Sequence, residues 1–333
     1  MKKEKRIAIV GATGAVGVEM LRVLERRNFP LSWLKLLASS RSAGRKLEFA
    51  GGEYEVEELR ADSFSGVDLA LFSAGSGLAR EFAPLAVDAG AVVVDNSAAF
   101  RMDDLVPLVV PEINGGEVAR HQGIIANPNC TTAVTLMALY PLHRLFGVKR
   151  VIAASYQAVS GSGAQGIEEL ESQTRALARG RKTRSKVYPH QIAFNVIPEV
   201  DAFAENGYTR EEMKLQNEGR RIMRHTTFRA SVTCVRVPVY RAHSVAVAAE
   251  FKKPASVQEA RRALSEAPGI KLVDDTSNHG YPTPLDCAGR DECAVGRLRL
   301  DCALENGLSL WVCGDQLLKG AALNAVQIAE LVE

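Results

Sequence analysis

The sequence predicts an α/β fold in two domains: a parallel sheet covered by helices on both faces, then a strand-rich α+β domain. Three observations predict it. The chain has 333 residues, about two domains at roughly 100–200 residues each. Up to about residue 125, short near-continuous apolar runs alternate with helical stretches, the pattern of strands buried on both faces. Beyond residue 150 the apolar runs lengthen and helices become fewer.

Residues 6–10 read as the first strand and 19–27 as the body of a helix. Residues 33–38, 67–73 and 91–95 are expected to follow as strands, with 105–110 and 123–126 adding two more. A helix is expected over 133–146. The second domain draws longer strands from 151–155, 230–239 and 245–251, helices from 165–179 and 211–223, and closing strands from 298–303 and 308–313. The last segment, 317–332, is apolar at helical spacing and is expected to pack back on the first domain. The expected boundaries are therefore 1–127 with 316–333, and 128–315.

Composition narrows the function. Hydrophobic residues at 47% and charged residues at 24% describe a globular protein rather than a disordered, collagenous or coiled-coil chain. Lys+Arg at 41 against Asp+Glu at 39 leaves +2, so no long-range field points to nucleic acid or an anionic membrane as partner. The apolar start is broken by Gly11, Gly14 and Gly17 and ends at Glu19 and Arg22, so no signal-peptide core forms. No uncharged apolar run reaches the ~18 residues of a membrane span. The cysteines are Cys130, Cys234, Cys287, Cys293, Cys302 and Cys313. Their spacing favours neither zinc nor a disulfide framework, and a reducing cytoplasm is expected.

Gly11-Ala12-Thr13-Gly14-Ala15-Val16-Gly17 follows the first strand directly and opens a helix. Such glycines permit a tight turn and close approach of backbone to phosphate, and the exposed N–H groups of the helix start bind the anion. After the second strand stand Ser39, Ser40, Arg41 and Ser42 rather than an acidic residue. Hydroxyls with an arginine suit a ribose 2′-phosphate, hence NADP over NAD; the alternative is a solvated basic loop.

Asn127-Pro128-Asn129-Cys130-Thr131-Thr132 lies between a short strand and a helix. The helix start favours the thiolate of Cys130, which can attack a carbonyl and hold an acyl group. A lone cysteine is more often a small buried hydrophobe, but these neighbours argue for chemistry. His243 is the best acid/base candidate, near Arg236, which could hold a carboxylate. The stretch joins two strand-like runs; the two are seven apart, on opposite faces of a straight strand, so Pro238 must mark a bend or edge if they share a pocket. His121, His143, His190, His225 and His279 keep a structural or surface reading. Ser97–Arg101 follows a strand end, and Glu211 and Lys214 share a helix face at i,i+3, where a solvated pair is the ordinary outcome. The turn from Tyr156 to Gly163, containing Gln157, Ser160 and Gly161, could approach a nicotinamide or simply turn.

These segments, GATGAVG, SSRSAG, NSAAFRM, ANPNCTT, YQAVSGSG, IAFNVIPE, EEMK, VRVPVYRAHS and GDQLLKGAALNAVQIAE, in this order and spacing resemble the aspartate-semialdehyde dehydrogenase family over nearly the whole chain. The resemblance implies a Rossmann-type NADP-binding domain and an α+β catalytic and dimerisation domain of the glyceraldehyde-3-phosphate-dehydrogenase-like kind. It implies NADP-dependent reductive dephosphorylation of L-4-aspartyl phosphate to L-aspartate 4-semialdehyde, toward lysine, threonine and methionine, in a homodimer. By resemblance Cys130 is the nucleophile, His243 the acid/base and Gln157 the residue that positions the acyl group. Arg236 would hold the substrate carboxylate and Glu211 its amino group. Arg101, Asn129 and Lys214 would receive phosphate. Gly11, Thr13, Gly14, Ala15, Val16, Ser39, Arg41, Ser42, Ser160, Gly161 and Gln316 would bind NADP, and no metal is implied. Many relatives carry Gly just before the histidine, where this chain has Ala242; Arg241 is expected not to touch a ligand. The nearest enzyme alternative is N-acetyl-gamma-glutamyl-phosphate reductase, whose acetylated amine would need no acidic partner such as Glu211. The non-enzyme alternative is a nucleotide-binding homologue without turnover, which would have no use for the combined Cys130, Gln157, Arg236 and His243.

Overall fold

The structure, a computed structural model, describes residues 4–332. The chain divides into two units, one running to Asn129 and returning at Ala321, the other spanning Cys130–Gly320.

The first unit is built on a seven-stranded sheet. Its elements are β1 (Lys5–Val10), α1 (Ala15–Arg26), β2 (Leu31–Ala38), β3 (Lys46–Phe49), β4 (Gly52–Glu58), β5 (Leu69–Phe72), α2 (Gly75–Asp88), β6 (Val92–Asp95), α3 (Pro111–Asn114) and β7 (Ile124–Ala126). Strand order is β3-β4-β2-β1-β5-β6-β7, parallel throughout except the β3–β4 hairpin. The order steps outward in both directions from β1, so a crevice opens beyond its carboxyl end, the usual ligand position in such sheets. Ala8, Val10, Ala70, Phe72 and Val93 are fully buried, and Ala79, Ala83 and Ala86 of α2 join the same cluster. Small residues on one stripe of α2 let it lie close on the strands.

Two glycines make the β1–α1 turn possible. Gly11 has φ +84°, and a Cβ there would sit 2.3 Å from the carbonyl oxygen of Ser73. A Cβ on Gly17 would sit 2.3 Å from the Gly11 oxygen. Gly11→Ala combines left-handed backbone with a backbone clash and is expected to cost about 2–3 kcal/mol, checked by denaturant unfolding. A loss under about 0.5 kcal/mol, the usual effect of a surface change, would contradict this account of the turn.

The second unit contains α4 (Cys130–Phe146), β8 (Val148–Gln157), α5 (Ala164–Ala178), α6 (Arg210–Ile222), β9 (Arg229–Arg236) and β10 (His243–Phe251). It continues through α7 (Val257–Glu266), β11 (Ile270–Leu272), α8 (Pro284–Cys287), β12 (Cys293–Leu300) and β13 (Gly307–Gly314). Its six-stranded sheet has the order β11-β12-β13-β10-β8-β9. β8 and β9 run parallel, while β10 is antiparallel to both β8 and β13. Helices α4, α6 and α7 pack on strands of this sheet. In β8 the alternation is clear: Val151, Ala153, Ser155 and Gln157 are buried and Ile152 and Tyr156 exposed.

Several sequence expectations need correction. Residues 105–110 form only an isolated parallel bridge, Leu108 with Ala126, because Pro107 inside the run and Pro111 just after it remove ladder donors. The strand expected at 298–303 lies earlier, at Cys293–Leu300; Asp301 turns the chain by accepting from the N–H groups of Ala303 and Leu304. The last segment opens with a π turn, Leu318–Ala322, before α9 (Leu323–Ala329). Arg27 and Glu330 form an ion pair at 2.6 Å, and the Asn324 side-chain amide donates to the Val109 carbonyl at 2.9 Å, fastening α9 to the first unit. The β3–β4 hairpin, α2 and α7 have no counterpart in the sequence reading.

Candidate active site

Register brings three predicted residues to one edge of the second sheet. Gln157 ends β8 opposite Arg236, which ends β9. β10 runs back along β8, so its first residue, His243, stands at the same edge. Ser155, on the buried face with Gln157, pairs with Val245, so His243 two residues earlier shares that face. The chain crosses from β9 to β10 over the end of β8, with the Val237 N–H on Gln157 O and the Val159 N–H on Val239 O. That crossing, not a bend inside one strand, puts Arg236 and His243 together.

The peptide groups flanking Ala158 hold both. Its N–H donates to His243 Nδ1 at 3.1 Å, and its carbonyl accepts from Arg236 Nη1 at 2.7 Å. A Cβ on Gly161 would lie 2.8 Å from Arg236 Nη1 and 3.3 Å from His243 Cε1, so a side chain there would push on the pair where the loop passes over it. The Arg236 guanidinium also lies 5.8 Å from the Tyr188 ring centre. Burial, reinforced by the charge of Arg236, pushes the His243 pKa well below its ordinary value, so the ring is neutral at pH 7. Because Nδ1 accepts a hydrogen bond, the neutral ring carries its proton on Nε2. That buried Nε2 has no hydrogen-bond partner.

Cys130 is the first residue of α4 and is partly exposed. A Cβ on Gly320 would meet Cys130 Cβ at 2.7 Å, so the π turn packs its backbone directly against the cysteine. The next residue ties the helix start to the strand edge: Gln157 Nε2 donates to Thr131 Oγ1 at 3.0 Å. The same amide reaches Glu211 Oε1 at 3.2 Å. Glu211 is buried, and its other oxygen accepts from Lys214 Nζ at 2.8 Å. Lys214 also reaches Asp201 at 3.2 Å. The Glu211–Lys214 pair is thus part of a network that runs from the buried Gln157 to the exposed Asp201 rather than a fully solvated face. By contrast Cys234 is buried, and desolvation with the charge of Glu211 pushes its thiol up to about 12; it stays protonated.

In the first unit, α1 begins at a Gly14 N-cap with no side-chain cap and no acidic residue in its first turn. Its first N–H groups are thereby left for an anion. Thr13 Oγ1 donates to Ser42 Oγ at 3.3 Å, which joins the glycine turn to the 3-10 turn Ser40–Ser42; Ser39 and Arg41 beside it are exposed. These residues fit the pyrophosphate and ribose of a dinucleotide. Arg101 is buried and donates to the Asn127 and Asn96 carbonyls at 2.9 and 2.7 Å. Asn129 is buried in the same unit.

Ser160 and Gln316, expected at the cofactor, have their side chains engaged within the second unit. Gln316 Oε1 accepts from the Ala242 N–H at 2.8 Å, its Nε2 donates to Ser160 Oγ, and Ser160 Oγ donates to the Tyr240 carbonyl at 2.5 Å. Residues that sequence reasoning missed are Ala158, Gly320, Asp315 and the Asn96–Asn127–Asn324 chain of side-chain amides. Each lies in a segment quoted above, yet its own part rests on a backbone group or a distant partner. Only Glu212 carried a readable signal, since Thr209 three residues earlier completes a capping box. Among the described residues, no cluster of three or more His, Cys, Asp or Glu could hold a metal, and no helix is long and apolar enough to cross a membrane.

The semialdehyde dehydrogenase NAD binding domain model matches residues 6–121, and the semialdehyde dehydrogenase dimerisation domain model matches 139–319. An aspartate-semialdehyde dehydrogenase from Synechocystis sp. is 51% identical over 327 residues, 98% of this chain and 97% of that one. One from Aquifex aeolicus is 51% identical over 331 residues, covering 98% and 97%. The crystal structure of aspartate semialdehyde dehydrogenase II from Vibrio cholerae, complexed with ASA, aligns with a TM-score of 0.97 at 44% identity, covering 99% of this chain and 98% of that chain. With both domain models matched in order and such identity along almost the entire length, this chain belongs to the aspartate-semialdehyde dehydrogenase family.

Proposed function

We propose that the chain reduces L-4-aspartyl phosphate to L-aspartate 4-semialdehyde, releasing phosphate, through a thioester on Cys130. NADPH supplies the hydride. The convergence of His243 and Arg236 on Ala158, at the sheet edge joined to the Cys130 helix by Gln157, carries the residue-level reading. The helix start favours the Cys130 thiolate, and its partial exposure lets the thiol proton leave to solvent. The thiolate attacks the acyl carbon, and phosphate departs with its bonding electron pair. His243 donates its Nε2–H to the oxygen that gains charge in each addition step. With Nδ1 taken by the Ala158 N–H, accepting the thiol proton would require breaking that bond. The ring therefore acts as donor to oxygen rather than as base to sulfur.

Arg236 holds the substrate carboxylate and Glu211 its ammonium, while Gln157 fixes the acyl group between them. Arg101, Asn129 and Lys214 are the groups assigned to phosphate. The buried Glu211 carboxylate favours a free amine over the acetylated amine of the glutamyl analogue. A second copy of the chain covers the open face of the second sheet, where Ile152 and Tyr156 are 51% and 38% exposed.

The turn at Ser39, Arg41 and Ser42 reads the 2′-phosphate, which makes NADP the cofactor. Purified protein with aspartate semialdehyde and phosphate, or arsenate in its place, is expected to reduce NADP. Absence of turnover there, with turnover of the N-acetyl-glutamyl substrate, would overturn the assignment. Arg41→Asp is expected to raise KM for NADP by about 10–100-fold, the worth of one charge-assisted contact, and to leave KM for NAD within about threefold. Equal losses for both would remove Arg41 from the 2′-phosphate.

A further inference from the structure

We infer that Asp315 is a positioning residue for His243, acting through Arg241 and the peptide of Ala242. The inference rests on the reading of His243 given above.

His243 is the first paired residue of β10 and stands opposite Gly314, the last of β13. One step beyond this rung both strands leave the sheet, and there side chains replace the ladder. The Ala242 N–H donates to Gln316 Oε1 at 2.8 Å, and Arg241 Nε donates to Asp315 Oδ2 at 2.5 Å. Ala242 is fully buried with φ +72°, a left-handed conformation unfavourable for any residue with a Cβ. Something must hold it: Gln316 takes its N–H directly, and Asp315 holds the side chain of the residue before it, Arg241.

Asp315 is suited to be the fixed point. It is fully buried, and besides Arg241 its carboxylate accepts from the N–H groups of Gly289 at 2.7 Å, Leu317 at 2.9 Å and Leu318 at 3.3 Å. One carboxylate thus joins the His243 approach, the segment after α8 and the entry to the π turn whose Gly320 backs Cys130. Arg241 is the reach of that anchor, its side chain still 26% exposed. Among the described residues the Ala158 N–H is the one hydrogen bond on the His243 ring, so the position of its backbone bears directly on where Nε2–H points. A misplacement of about 1 Å costs on the order of 10²-fold in rate.

The test measures kcat, KM and iodoacetamide alkylation of Cys130 in the intact protein. Asp315→Asn keeps size and an acceptor oxygen but loses the charge that holds Arg241. It is expected to lower kcat about 10–100-fold, leaving KM for aspartate semialdehyde and the Cys130 alkylation rate within about twofold. Adding Ala242→Gly is expected to recover about fivefold in kcat, because glycine keeps φ +72° without an anchor. Unchanged kcat in Asp315→Asn would overturn the inference. So would parallel loss of kcat and alkylation with no recovery on Ala242→Gly, the mark of general loosening. If Asp315→Asn does not fold, Arg241→Met is read the same way: a fall in kcat alone supports the anchor and an unchanged kcat overturns it. His243→Asn run alongside separates the two levels. Full activity in that variant defeats the His243 reading, whereas a loss there without one in the Asp315 and Arg241 variants defeats only the anchor.

Discussion

Cys130→Ser is expected to abolish turnover, lowering kcat on the order of 10⁴-fold or more, as removal of a covalent nucleophile does. The substitution changes one atom at the first position of α4. A serine hydroxyl there stays protonated where a thiol yields its anion, and it is a poorer leaving group from the tetrahedral adduct. Fold and cofactor binding should survive, because the glycine turn, Ser42 and Arg41 belong to the first unit and Cys130 to the second. The expected pattern is NADP affinity within about twofold of the parent by titration and stability within about 0.5 kcal/mol by denaturant unfolding, with no product. Retained turnover would mean another nucleophile, yet Cys234, held protonated near Glu211, is unsuited to the task.

Arg236→Leu is the second large effect. The guanidinium is buried, donates to the Ala158 carbonyl at 2.7 Å and lies against Tyr188. Its removal deletes the carboxylate anchor and one of two hydrogen bonds to the Ala158 carbonyl, which keeps the Gly161 N–H at 3.1 Å, at about 0.5–1.5 kcal/mol of stability. Losing a charge-assisted substrate contact, together with misalignment of the acyl carbon, predicts a fall in kcat/KM of about 10³-fold. Most of it should appear in KM for aspartate semialdehyde. The same variant removes the positive charge that helps depress the His243 pKa, so that pKa should rise toward its ordinary value. Burial, the larger cause, remains, so the ring stays neutral at pH 7. Arg236→Lys should recover only part of the loss, since an ammonium cannot present the bidentate fork. An unchanged KM in Arg236→Leu would take the carboxylate away from this residue.

Much of the fold was legible because parallel strands buried on both faces leave near-continuous apolar runs, as at Ile7–Val10 and Leu69–Phe72. The β3–β4 hairpin was not legible for the opposite reason. Lys46, Glu48, Glu53 and Glu55 face solvent, and its turn relies on left-handed Ala50 and Gly51, φ +49° and +77°. Helix α2 hides behind glycines at its start and Pro84 inside. At the site, residue types that carry chemistry stand out in sequence, and Cys130, His243, Gln157, Arg236 and Glu211 all lie in the second unit. That Arg236 and His243 need a bend or edge at Pro238 to share a pocket was legible; that β8 inserts between their strands was not, because nothing local says so. Asp315, Gly320 and Ala158 were invisible since each acts on a residue far along the chain. Arg241 likewise acquires its role only from Asp315, 74 residues away.

The central claim is that Cys130 carries the acyl group. The most direct measurement is to mix the protein with NADP and aspartate semialdehyde without phosphate, quench in acid and determine the mass of the Cys130 peptide. An aspartyl thioester on Cys130 that forms only with NADP present and disappears when phosphate is added is the predicted result. No adduct, or one on a different cysteine, would contradict the account.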